Sequence, residues 1–130
     1  MIIDSSVVVA ILLRESEADS MGNAIADAPV CRISAVGYVE SSVVIDSRRD
    51  PIFSRGLDDL LRQTQTIIEA VTPEQAILAR EAYRDFGKGR HKAGLNLGDC
   101  FAYALAKEKG EPLLFKGDDF RKTDVEAAEY

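Results

Sequence analysis

A chain of 130 residues, 46% apolar and 29% charged, has the length and mix of one compact domain with a core, not of a disordered segment. Its 16 Lys and Arg against 22 Asp and Glu leave a net charge of −6, which argues against non-specific electrostatic binding to nucleic acid and equally fits carboxylates gathered to await cations. Two distant cysteines, Cys31 and Cys100, and one histidine, His91, are too few and too scattered for a zinc site, and the thiols read as free and reduced.

In chain order, Met1-Ile2-Ile3 reads as a short buried strand ending at Asp4, with Ser5 or Ser6 available to cap the helix that follows. Val7 to Leu13 is expected to be helical despite its β-branched residues. It is too short to span a membrane, which takes about 20 apolar residues. It also lacks the basic flank and cleavage site of a signal peptide, so a cytoplasmic protein without membrane attachment is expected. A second helix fits Glu17 to Ala28 and stops at Pro29, and Val30 to Ser34 is a strand candidate. Val36, Val39, Val43 and Val44 recur at helical spacing and predict a helix over Ala35 to Arg49, with Pro51 just beyond it. Leu57, Leu60 and Leu61 mark another helix running to Thr66, and Ile67 to Val71 reads as a strand. Thr72-Pro73-Glu74 opens a helix carrying Ala76, Ile77, Ala79, Ala82 and Tyr83. A loop rich in Gly, Lys and Arg covers Gly87 to Gly94. A helix from Leu97 to Lys109 follows, closed by Gly110, then a strand over Pro112 to Phe115.

Apolar strands alternating with helices imply an α/β fold with a mainly parallel sheet, read as a single domain over residues 1–130. Such sheets carry their functional groups at the carboxyl ends of the strands, where Asp4 and the Asp118-Asp119 pair both fall. Asp4 reads either as a turn or capping residue or as a site acid, the serines after it being able to cap. Glu40 sits among Val36, Val39, Val43 and Val44. Such a Glu is costly to bury unless it is paired or holds a metal, and otherwise it snorkels from the edge of the stripe. Asp99 near a helix start has a favourable charge placement of its own, with Asn96 as a cap. Two Asp residues after a strand also serve as a solvated turn. Brought together, these acids need cations, and oxygen-only donors favour Mg²⁺, with Mn²⁺ as a substitute. Lys88, Arg90 and Lys92 form a basic loop that either grips a phosphate backbone or is merely solvated surface.

The chain resembles the VapC toxins of bacterial VapBC toxin–antitoxin systems, which are PIN-domain proteins. The opening Met-Ile-Ile-Asp4-Ser5-Ser6 is similar to the family's first motif, and Ser34-Ala35-Val36-Gly37-Tyr38-Val39-Glu40 to its second. The stretch from Gly89 through Asp99 to Phe101 is similar to a signature of one subgroup, and Leu113 to Phe120 to the closing motif. The resemblance implies a PIN-like three-layer α/β/α fold around a central, mainly parallel sheet. It also implies Mg²⁺-dependent endonucleolytic cleavage of transfer or ribosomal RNA, a cognate VapB antitoxin and frequent homodimers. Carried over by residue, Asp4 and Asp99 become the main metal ligands, and Glu40 a third acid acting on the metal or positioning water. Family members often read Asp-x-Asp-Phe where this chain has Gly117-Asp118-Asp119-Phe120. Asp119 therefore matches by register, and Asp118 stays open as a replacement metal ligand for the missing acid. A PIN-like domain that only binds RNA or a partner is the alternative. A receiver-type signalling domain would need an Asp after a middle strand, where Thr72-Pro73 stands. A dehalogenase-like phosphatase would need an Asp where Ser6 stands.

Overall fold

The computed structural model describes residues 1–130. Side-chain alternation along two very short strands sets the layers. Ile2 and Leu113 pack with the helices on one face of the sheet, and Ile3 and Leu114 with those on the other, all four essentially inaccessible. The elements in order are β1 (Ile2–Ile3), α1 (Ser5–Leu12), α2 (Ala18–Asp27), β2 (Arg32–Ser34), α3 (Ala35–Asp46), α4 (Pro51–Gln63), β3 (Ile67–Glu69), α5 (Pro73–Phe86), α6 (Leu97–Lys109) and β4 (Leu113–Leu114), followed by a 3₁₀ turn at Phe120–Lys122. The strands form one four-stranded sheet in the order β3-β2-β1-β4, every pair parallel. Parallel strands need long crossovers, and the helices supply them.

The first core joins Ile2, Leu113 and Phe115 to Ala79 and Ala82 of α5 and to Ala102, Tyr103, Leu105 and Ala106 of α6. The second joins Ile3, Leu114 and Ile33 to Val7 and Val8 of α1, Met21 and Ile25 of α2, Ile45 of α3 and Leu57 of α4. This is the expected α/β/α sandwich. Truncating any fully buried aliphatic here, such as Leu114, costs about 2–5 kcal/mol. Both cysteines are free and buried, and burial pushes the Cys100 thiol up to about 11 and the Cys31 thiol in the same direction, which keeps them inert. No helix is long and apolar enough to cross a membrane.

Several sequence expectations shift. The α1 cap is Asp4 itself, in extended conformation, not a serine. The helix over Ala35 ends at Asp46, because the chain turns at Arg49 with φ 54°, and Asp50 then caps a new helix with Pro51 in its first turn. Pro51 therefore begins α4 rather than ending α3, as a residue without an amide hydrogen can at a helix start. The valine stripe is not core: Val39, Val43 and Val44 are 56%, 63% and 44% exposed, while Gly37, Ser41 and Ile45 face inward. β3 is an edge strand with Ile67 and Ile68 also exposed, which periodicity does not distinguish from a central one.

Candidate active site at the carboxyl edge of the sheet

Parallel pairing places the ends of β1, β2 and β4 on one edge, and there the chain delivers its acids. Asp4 leaves β1 with its backbone amide bonded to the Leu114 carbonyl at 2.9 Å, so it is fixed against β4. Its side chain is 4% exposed. Oδ2 accepts from both the amide of Ser6 (3.0 Å) and its hydroxyl (2.6 Å). Burial raises the Asp4 pKa, and the bonds from Ser6 oppose the rise by favouring the charged form. Asp4 thus caps α1 while its carboxyl stays at the carboxyl edge of the sheet, so capping does not take it away from the other acids.

Asp99 also does two jobs. Asn96 Oδ1 accepts from the Asp99 amide and Asp99 Oδ2 accepts from the Asn96 amide, both at 2.9 Å, a capping box that fixes the first turn of α6. Its carboxyl is pushed up to about 6 from 3.8, first by burial and then by the charges of Asp4, Glu40 and Asp119, against a lowering bond from Asn96. Glu40 on α3 is raised by burial and by the charge of Asp4, while the Ser5 hydroxyl donates to its Oε1 at 3.2 Å. Asp4, Glu40 and Asp119, from the end of β1, from α3 and from the segment after β4, thus all bear on Asp99 at the start of α6, and the Glu40 carboxylate packs against Gly98 next to it. Glu40 reaches this point from the rim of an exposed apolar stripe, not from a buried face.

The segment after β4 is held by two ties. The Ser6 hydroxyl, while donating to Asp4, accepts from the Lys116 amide at 3.1 Å. The Lys116 ammonium bonds Glu15 and lies 3.5 Å from Glu17. Gly117 follows at φ 89°, a backbone that an Asp would adopt only under strain. Asp119 is exposed and lies 3.8 Å from Lys122. Asp118 is exposed, and its side chain makes no hydrogen bond or ion pair. Ser5 and Ser6 are the residues that sequence reasoning undervalued, as caps only. Their signal was their position directly after a strand-end acid.

Lys88, Arg90 and Lys92 are exposed. Their loop is stitched by Lys88 N–H to Leu95 O (2.9 Å), Leu95 N–H to Phe86 O (3.0 Å) and Ala93 N–H to His91 Nδ1 (3.0 Å), and it runs directly into the Asn96 cap. The His91 ring meets Phe86 edge-on at 5.3 Å, and the Arg90 guanidinium lies 5.5 Å from the Tyr83 ring centre. The loop is thus bonded in place beside the first turn that carries Asp99.

The donor set consists of carboxylate oxygens, the chemistry of hard divalent cations. No group of three or more His, Cys, Asp or Glu side chains stands close enough together to hold a metal ion as the side chains are placed. Mg²⁺ keeps several waters and bridges to substrate phosphates, so it asks for fewer side-chain ligands than a fully protein-coordinated ion.

A parallel four-stranded sheet between helical layers, with acids from four distant segments at its carboxyl edge, defines a PIN-type domain, and the PIN domain family matches residues 1–126. Ribonuclease VapC28 of Mycobacterium tuberculosis is 51% identical over 129 residues, covering 98% of this chain and 97% of its own. Ribonuclease VapC of Mycolicibacterium smegmatis is 52% identical over 127 residues, covering 98% of each. The chain belongs to the VapC ribonuclease family of PIN-domain toxins. Among solved structures, Mycobacterium tuberculosis VapC20, described as a Sarcin-Ricin loop cleaving toxin, superposes with a TM-score of 0.77 at 16% identity over 95% of both chains. A toxin–antitoxin complex from Klebsiella pneumoniae gives 0.71 at 16% identity, covering 95% of this chain and 92% of that one. Both share the fold. The receiver-type and dehalogenase-like readings fall with this result.

Proposed function

We propose that this chain is the toxin of a toxin–antitoxin pair, an Mg²⁺-dependent endoribonuclease acting on transfer or ribosomal RNA in the cytoplasm. The observation that carries the proposal is the meeting of acids from distant segments at the sheet's carboxyl edge: Asp4 fixed by Ser6, and the Glu40 carboxylate packed on Gly98 next to Asp99, in a chain of the VapC ribonuclease family. Carboxylates gathered in this way favour a divalent cation among them. Asp4 and Asp99 would hold the ion, with Glu40 and Asp119 beside it. Bound Mg²⁺ supplies charge neutralisation and the Lewis acidity that phosphodiester hydrolysis needs. Ser6 orients Asp4, Ser5 orients Glu40, and the Asn96 cap orients Asp99. Glu40, half-buried with a raised pKa, is placed to accept a proton from the attacking water at its carboxylate. Lys88, Arg90 and Lys92 would bind phosphates of the RNA backbone, offsetting the net charge of −6.

A VapB-type antitoxin and a homodimer belong to the same proposal. Relatives named as VapC ribonucleases and a neighbour in a toxin–antitoxin complex support a protein partner. The exposed valines of α3 line an open groove of about 590 Å³ that reaches Glu40 and supply apolar surface for such contacts.

The direct test is incubation of total RNA with wild type and with Asp99→Asn, each with Mg²⁺ and with EDTA. Discrete fragments from wild type with Mg²⁺ alone are expected. Intact RNA in every lane, from protein that is folded by circular dichroism, would favour a domain that only binds.

A further inference from the structure

We propose that Gly98 is a positioning residue for Glu40: its missing side chain forms the seat on which the Glu40 carboxylate rests beside Asp99. A glycine in the first turn of α6 is not called for by the backbone, which is ordinary helix at this position. It also costs up to about 1 kcal/mol relative to alanine. Its reason lies in its surroundings. A Cβ built on Gly98 would fall far inside van der Waals contact of Cδ, Oε1 and Oε2 of Glu40, and these three are the nearest atoms it would meet. No backbone and no core side chain is among them. The space is therefore shaped for one group, the end of a side chain from α3.

The rest of the seat agrees. The Ser5 hydroxyl at the start of α1 donates to Glu40 Oε1 at 3.2 Å, so the carboxylate is held between α1 and the first turn of α6. The amino-terminal end of a helix favours a negative charge placed over it. Because a carboxylate is the far end of a flexible chain, a methyl group at position 98 would move Glu40 rather than break the fold. Gly98→Ala should then leave a folded protein whose third acid points elsewhere.

Mn²⁺ binding measured by calorimetry tests this on wild type, Gly98→Ala, Glu40→Ala and the double variant. Its metal arm rests on the function proposed above. Gly98→Ala is expected to weaken Mn²⁺ binding about 10-fold or more, as removal of a group that orients a metal ligand does. The double variant should match Glu40→Ala, since without the carboxylate the methyl group meets nothing. Wild-type affinity in Gly98→Ala, or a further drop in the double variant, would overturn the proposal. Misfolding of Gly98→Ala that Glu40→Ala repairs would support it, and misfolding of both would overturn it. If wild type binds no Mn²⁺, the metal reading fails by itself, and the Glu40 carboxyl ¹³C resonance decides the seat. That resonance should shift in Gly98→Ala, and an unmoved one would overturn the pairing.

Discussion

Replacing Asp99 with Asn should stabilise the protein when divalent ions are absent, and the gain should fade in acid. The Asp99 carboxyl titrates at about 6 in the folded protein against 3.8 as its ordinary value. Between those values the folded state holds more protons than the unfolded chain, so stability falls as pH rises through that window and is level above it. The gap corresponds to about 3 kcal/mol at neutral pH by linkage, and partial exposure cuts this to about 1–2 kcal/mol. Asn keeps an acceptor for the Asn96 amide but gives up a charge at a helix start, worth about 0.5 kcal/mol. The net gain of about 1 kcal/mol amounts to roughly 3–5 °C in Tm for a domain of this size. Thermal melts by circular dichroism in EDTA at pH 7.5 and pH 4 measure it. Asp99→Asn should melt higher at pH 7.5 and level with wild type at pH 4, while Mg²⁺ at pH 7.5 should raise wild type more than the variant. A variant that melts below wild type at pH 7.5, or a difference indifferent to pH, would refute the reasoning.

Asp119, whose charge bears on Asp99, is favoured over its neighbour as the fourth acid. Asp119→Asn should lower RNA cleavage about 10- to 100-fold, as removal of a group at a metal site does, with Asp118→Asn close to wild type; equal decreases would contradict the choice of Asp119 over Asp118. Arg90→Ala with Lys92→Ala should weaken RNA binding and reduce the slope of log affinity against log salt by about 0.7 for each phosphate these side chains neutralise. An unchanged slope in a filter-binding titration would return the loop to plain surface. Gln75 is buried with Oε1 unpartnered, and its Nε2 only reaches Glu108 at 3.4 Å. Gln75→Met should therefore leave urea stability unchanged or raise it by about 1 kcal/mol, and a decrease beyond about 1 kcal/mol would show that the amide is satisfied.

What the sequence made legible follows from how local each signal is. The strand-end Asp4, the Asn96 cap and the Thr72-Pro73 helix start are set by neighbouring residues, and each is found in the structure, although Asp4 proved to cap as well. The α3 stripe misled because periodicity shows that valines share a face without showing what covers it. That face is open, and Glu40 stands at its rim. Pro51 reads alike as a helix stop and as a first-turn residue, and only the Asp50 side chain bonding the Ile52 amide decides for the latter. The double role of Ser6, bridging Asp4 to the Lys116 amide 110 residues away, depends on β1 pairing with β4, which no local pattern carries.

Crystals soaked in Mn²⁺ and measured at the manganese absorption edge would show directly whether these carboxylates form a metal site. An anomalous peak touching Asp4 and Asp99, with Glu40 and Asp119 within one water of it, is the expected result. Protein that cleaves RNA yet shows no peak there, or a peak held by other residues, would contradict the assignment.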